Sequence, residues 1–119
     1  MGTALIIDDE ADICFLLRSI LRTKNLQVSH ANSLSEATVV LAKENPGIIF
    51  LDNHLPDGLG VDFISQLKVT HPQAKVVMIS AFDIYSNRAK AFANGVDTFI
   101  SKPFTKELIS LTVDQLEQA

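Results

Sequence analysis

Ile48-Ile49-Phe50-Leu51-Asp52 is an apolar run of strand length that ends on a carboxylate and passes at once into the turn-forming Asn53-His54-Leu55-Pro56-Asp57-Gly58. No polar residue interrupts the run before Asp52, which suits a strand buried on both faces of a parallel sheet. Three other runs share the design. Ala4-Leu5-Ile6-Ile7 ends at Asp8-Asp9, Val76-Val77-Met78-Ile79 ends at Ser80, and Thr98-Phe99-Ile100-Ser101 ends at Lys102-Pro103. Ligands of open α/β sheets bind beyond the carboxyl ends of parallel strands, so these four endings are expected to converge on one site. That site would hold three carboxylates, a hydroxyl and an ammonium.

Between the runs the apolar period changes to that of helices. Ile13, Leu16, Leu17, Ile20 and Leu21 form one stripe, with Phe15 off it beside Arg18 and Arg22. Residues 26–29 read as a shorter, more polar second strand, as befits an edge. Ser33 and Glu36 then make a capping box ahead of Ala37, Val40 and Leu41, and Pro46-Gly47 ends that helix. Val61, Phe63, Ile64 and Leu67 outline a third helix, closed at His71-Pro72 because proline cannot continue it.

Residues 75–80 form the fourth strand and about 84–94 the fourth helix, stopped by Asn94-Gly95. Residues 97–101 are the fifth strand. Thr105 caps a last helix whose Leu108, Ile109, Leu111, Val113 and Leu116 spread beyond one narrow stripe. Strand and helix alternate five times, which predicts a parallel sheet covered on both faces with right-handed crossovers.

A chain of 119 residues is expected to be a single domain spanning 1–119. Fourteen acidic residues against ten basic ones give a net charge of -4 with no Lys/Arg cluster, which argues against direct nucleic-acid binding. Cys14 is the only cysteine, without a Cys or His partner at metal-ligand spacing, and reads as a small apolar filler. No apolar run approaches the ~18 residues of a membrane helix, and no signal peptide is evident. Ile6 stands where a myristoylation start needs Ser or Thr. A soluble protein of the reducing cytoplasm is expected.

Three acids at one sheet edge repel one another by about 4 kcal/mol per ionised pair at ~4 Å and an effective dielectric of ~20. A cation or a proton must offset this, and oxygen ligands in small number favour Mg²⁺. Lys102 supplies a positive charge and Ser80 a hydroxyl, both suited to a phosphoryl oxygen. Asp52, ending the central strand, is the expected nucleophile for an acyl phosphate. Asp9 is expected to ligate the metal directly and Asp8 through water. Singly, an Asp after a strand is a turn former and a Lys before Pro is a solvated charge; the conjunction of four strand endings carries the reading.

The motifs Ile7-Asp8-Asp9-Glu10, Leu51-Asp52 with Pro56 and Gly60, Ile79-Ser80-Ala81, Gly95, and Phe99-Ile100-Ser101-Lys102-Pro103-Phe104 cover essentially the whole chain. In these the sequence resembles the CheY-like receiver domains of two-component response regulators. The resemblance implies a flavodoxin-like (βα)5 fold, a doubly wound five-stranded parallel sheet of strand order 2-1-3-4-5. It implies that Asp52 accepts a phosphoryl group from a phosphohistidine on a sensor histidine kinase or histidine phosphotransfer domain, with Mg²⁺ held at Asp9, Asp52 and the backbone carbonyl of His54. Ser80 and Lys102 would contact the phosphate, Phe99 would be the switch aromatic, and the Lys102-Pro103 bond would be cis. Phe15 and Arg18 would help dock the donor, and a phosphorylation-dependent homodimer is an expected output.

Such a protein is a signalling switch that catalyses only its own phosphorylation and dephosphorylation. Leu55 stands where the family often has Met, and the His54 imidazole, with Phe82, flanks the path of water to the phosphorus. The alternatives are a haloacid-dehalogenase-like phosphatase, which needs a second acid where His54 stands, and a phosphorylation-independent interaction domain. A flavin protein of similar fold would need a Ser/Thr/Gly-rich phosphate loop after the first strand.

Overall fold

The computed structural model describes residues 2–81 and 85–118. Five strands, β1 (Thr3–Ile7), β2 (Gln27–Ala31), β3 (Ile48–Asp52), β4 (Lys75–Ser80) and β5 (Thr98–Ser101), pair in parallel in the order β2-β1-β3-β4-β5. Five helices alternate with them: α1 (Ala11–Arg22), α2 (Leu34–Lys43), α3 (Gly60–Thr70), α4 (Tyr85–Ala93) and α5 (Lys106–Glu117). This is the doubly wound flavodoxin-like architecture expected. After β3, His54–Leu55 and Gly58–Leu59 add a small antiparallel ladder.

The side-chain period of two divides the core between the two faces of the sheet. Leu5, Ile7, Ile49, Leu51, Val76 and Met78 face one way and pack with Ala37 and Leu41 of α2, Val61, Ile64 and Leu67 of α3, and Ala91 of α4. Ala4, Ile6, Ile48, Phe50, Val77, Ile79 and Ile100 face the other way, onto Cys14, Leu17, Ile20 and Leu21 of α1 and Ile109 and Val113 of α5. Register then brings the strand ends level. Ile7 pairs with Leu51, Leu51 with Met78 and Met78 with Phe99, so the residues that follow them line one edge of the sheet.

Helix ends explain several boundaries. Ser33 Oγ accepts from the Glu36 N–H at 3.1 Å, but Glu36 Oε1 reaches back to the N–H of Asn32, at 3.2 Å, one residue earlier than a capping box predicts. Thr105 Oγ1 accepts from the Leu108 N–H at 3.1 Å. Beyond α4, Val96 N–H bonds the Ala91 carbonyl and Gly95 N–H the Phe92 carbonyl, a Schellman closure that needs the left-handed φ of 105° at Gly95. The fourth helix starts at Tyr85 among the described residues, and Ile84, the expected start, lies outside them.

Two expectations are corrected. The second strand runs Gln27–Ala31 and not 26–29, since it pairs only with β1 and follows that strand's register. On α1, Leu16 is exposed and Cys14 is buried in its place; on α5, Leu108 and Leu111 are exposed while Ile109, Thr112 and Val113 face inward. Periodicity with several apolar residues fits more than one face, and packing decided between them. No helix among the described residues is long and apolar enough to cross a membrane.

Candidate functional site

At the carboxyl edge of the sheet Lys102 reaches back from beyond β5 into a group of acids. Its Nζ lies 2.8 Å from Glu10 Oε1, 3.1 Å from Asp8 Oδ2 and 3.4 Å from Asp52 Oδ1. The side chains of Asp8, Asp52 and Lys102 are 2%, 5% and 9% exposed, so these charges interact with little solvent between them. One ligand oxygen from each of Asp8, Glu10 and Asp52 can be chosen so that all lie within 4.8 Å of one another.

The electrostatics follow from that burial. Asp52 is pushed up to about 6, first by burial and next by the charge of Asp8, with Lys102 opposing both. Asp8 is also raised, chiefly by burial, against a hydrogen bond from the Glu10 N–H and the charge of Lys102. Burial alone would lower Lys102, but its hydrogen bond to Glu10 and the charges of Asp8 and Asp52 outweigh that and hold it above its usual value. The ammonium is therefore charged throughout the accessible pH range, whereas two acids are reluctant to ionise without further positive charge.

The loop after Asp52 is fixed by its own backbone. Gly60 N–H donates to the Asn53 carbonyl at 2.7 Å and Asn53 Oδ1 accepts from the Val61 N–H at 2.9 Å, closing the segment onto the start of α3. A Cβ at residue 60 would collide with the Asp52 carbonyl oxygen, which is why glycine stands there. Asp57 leaves this loop to cap a different helix, accepting from the Leu34 and Ser35 N–H groups at 2.9 Å each. Those hydrogen bonds hold its carboxyl below the usual range.

The structure brings together Asp8, Asp52 and Lys102 of the expected set. Ser80 is fully buried at the end of β4, one residue past the pairing of Asp52 with Ile79. His54 is exposed in the short ladder after Asp52. Phe99 is 7% exposed, already inside, with Arg88 Cζ 4.9 Å from its ring centre. Phe15 is 75% exposed on α1 and Arg18 is half-buried. Phe82 lies outside the described residues.

Asp9 is exposed and lies outside the group that the carboxylates of Asp8, Glu10 and Asp52 form, with Glu10 reaching it from just before α1. The acidic run 8–10 was the only sequence signal for Glu10. Asp57 and Asn53 gave none beyond turn composition, and the partners of Asp57, Leu34 and Ser35, are far away in the chain. Cys14, buried as expected, nonetheless has a histidine beside it: His30 Nε2, from β2, lies 2.8 Å from its Sγ on α1.

A family model described as the response regulator receiver domain matches residues 4–114. The chain belongs to this family. Of curated relatives of this receiver domain, the response regulator protein PilR of Pseudomonas aeruginosa is 37% identical over 100 residues, covering 84% of the chain and 22% of PilR. The transcriptional regulatory protein SrrA of Staphylococcus aureus is 32% identical over 112 residues, covering 94% of the chain and 46% of SrrA. The receiver domain thus spans less than half the length of either relative. Among solved structures, the beryllofluoride-activated NtrC4 receiver domain dimer superposes with a TM-score of 0.93 at 31% identity, covering 99% of this chain and 98% of that one. Membership places the chain among two-component response regulators, consistent with a phosphorylation-activated switch.

Proposed function

We propose that this receiver domain is a switch set by phosphorylation of Asp52. The observation that supports it most is the Lys102 ammonium held among the buried carboxylates of Asp8 and Asp52 and the exposed one of Glu10 at the carboxyl edge of the sheet. The donor set is hard oxygen at a spacing that fits a divalent cation, so Asp8, Glu10 and Asp52, with the His54 carbonyl, would hold Mg²⁺. When bound, that ion neutralises acids and phosphoryl oxygens alike.

In the transfer step an Asp52 carboxylate oxygen forms the new bond to phosphorus as the phosphorus–nitrogen bond of a phosphohistidine breaks, and the departing imidazole nitrogen takes up a proton. Lys102, already 3.4 Å from Asp52, stays charged and stabilises the transferring group. Ser80 offers its hydroxyl from the neighbouring strand end. The domain acts on itself alone, and a sensor histidine kinase or histidine phosphotransfer domain supplies the group. Phe15 and Arg18 on α1 help that donor dock. A second copy reads the outcome, through Phe92 of α4 and Leu108 and Leu111 of α5, which are exposed and apolar.

Incubation with acetyl phosphate and Mg²⁺, followed by intact-mass spectrometry, tests the central step. The parent should gain one phosphoryl group, and neither Asp52→Asn nor the parent with chelator should. Equal gain in Asp52→Asn, or indifference to chelation, contradicts the reading.

A further inference from the structure

Asp8 is held at each of its polar atoms. Its N–H donates to the Ala31 carbonyl at 3.0 Å, Oδ1 accepts from the Glu10 N–H at 2.9 Å, and Oδ2 from Lys102 at 3.1 Å. The remaining atom, its carbonyl oxygen, lies just past the end of β1, where two side chains from other elements close on it. His30 Nε2, from β2, is 2.9 Å away and Cys14 Sγ, from α1, is 3.3 Å away. The same two groups touch each other at 2.8 Å.

A carbonyl oxygen only accepts, so the imidazole nitrogen facing it carries a proton, which it shares with the sulfur. The Cys14 thiol donates to the same oxygen from 3.3 Å. Both lone pairs of the oxygen are then used. The Asp8–Asp9 peptide is planar, and turning it would pull its oxygen away from both donors at once. The orientation of that plane sets the path by which the chain carries Asp9 outward and Glu10 back toward Lys102.

We infer that His30, backed by Cys14, is a positioning residue of the acidic site: it clamps the Asp8 carbonyl and so holds residues 8–10 in the shape in which the Asp8 and Glu10 carboxylates meet a divalent cation. Among the described residues it touches no carboxylate itself, and it acts through the backbone. The inference rests on the proposed Mg²⁺ site, and it is separable from that reading by experiment.

Mg²⁺ affinity of the parent, His30→Ala, His30→Gln and His30→Asn is measured by calorimetry, with urea unfolding in chelator as the control for fold. Gln places an N–H where Nε2 stands and Asn falls short of it. Outer partners of metal sites are typically worth tenfold or more in affinity, so His30→Ala and His30→Asn should bind about tenfold more weakly and His30→Gln within about threefold of the parent. A metal-free readout accompanies it: long-range proton–nitrogen NMR at pH about 8, above the ordinary range of histidine, should show His30 protonated at Nε2. Parent-like affinity in His30→Ala, a His30→Gln as weak as His30→Asn, or a bare Nε2 overturns the clamp while leaving the Mg²⁺ site standing. No Mg²⁺ binding by the parent overturns both. If His30→Ala does not fold, the Gln and Asn pair and the tautomer decide.

Discussion

Asp52 is a carboxyl whose burial makes ionisation costly in the absence of a bound cation. Its folded value of about 6 lies above the usual 3.8, so the native state keeps a proton that the unfolded chain releases as pH rises from about 4 to about 6. Stability from this group is present below pH about 4 and is lost as pH rises through about 6, on the order of 3 kcal/mol in all. Asp52→Asn should therefore stabilise the metal-free protein to urea at pH 7.5, by roughly 1–3 kcal/mol since Lys102 loses a partner, and should be nearly neutral at pH 4. A destabilised Asp52→Asn at pH 7.5 would contradict the sign. Gly60→Ala drives a methyl against the Asp52 carbonyl and should cost about 1–3 kcal/mol, read as a lower urea midpoint at unchanged slope. At this scale Asp52, Asp8 and Lys102 were legible because each follows an apolar run whose end the sheet must align. Glu10 was not: it reaches the site by turning back at a helix start, a geometry that spacing does not encode.

Elements were legible in proportion to how completely they are buried. β3 and β4 were read with their observed bounds because both faces of each strand are covered and their residues are almost all apolar. β2 was placed early because Ser29 and His30 break its apolar signal and only its pairing with β1 fixes where it ends. Helix faces on α1 and α5 were blurred by Leu16, Leu108 and Leu111, apolar residues that the fold leaves exposed. The Asp57 cap on α2 joins the loop carrying Asp52 to a helix on one side of the sheet, a link between residues 23 apart in sequence or nearly so. Asp57→Ala should lower the urea midpoint and raise amide exchange at Leu34 and Ser35 by NMR. Unchanged exchange there would show the cap to be immaterial. On α1, Phe15→Ala should slow transfer from the cognate phosphohistidine protein and leave acetyl phosphate unaffected; equal loss with both donors would point away from docking.

Across the whole molecule the sheet gathers the acids at one edge and divides the core into two faces, with α1 and α5 on one and α2, α3 and α4 on the other. The inward Phe99 ring, with Arg88 Cζ 4.9 Å from its centre, is the conformation this structure presents. Beryllofluoride with Mg²⁺ should shift the parent toward dimer in sedimentation, and Leu111→Asp should weaken that response while leaving the fold intact. A Leu111→Asp protein that dimerises as readily as the parent would place the interface elsewhere. All of this depends on one bond. Borohydride reduction after acetyl phosphate treatment converts a phosphorylated aspartyl side chain to homoserine, which peptide mass spectrometry then locates. The account predicts homoserine at position 52 alone, formed only when Mg²⁺ is present. Conversion at position 8 or 9, or reduction without metal, would contradict it.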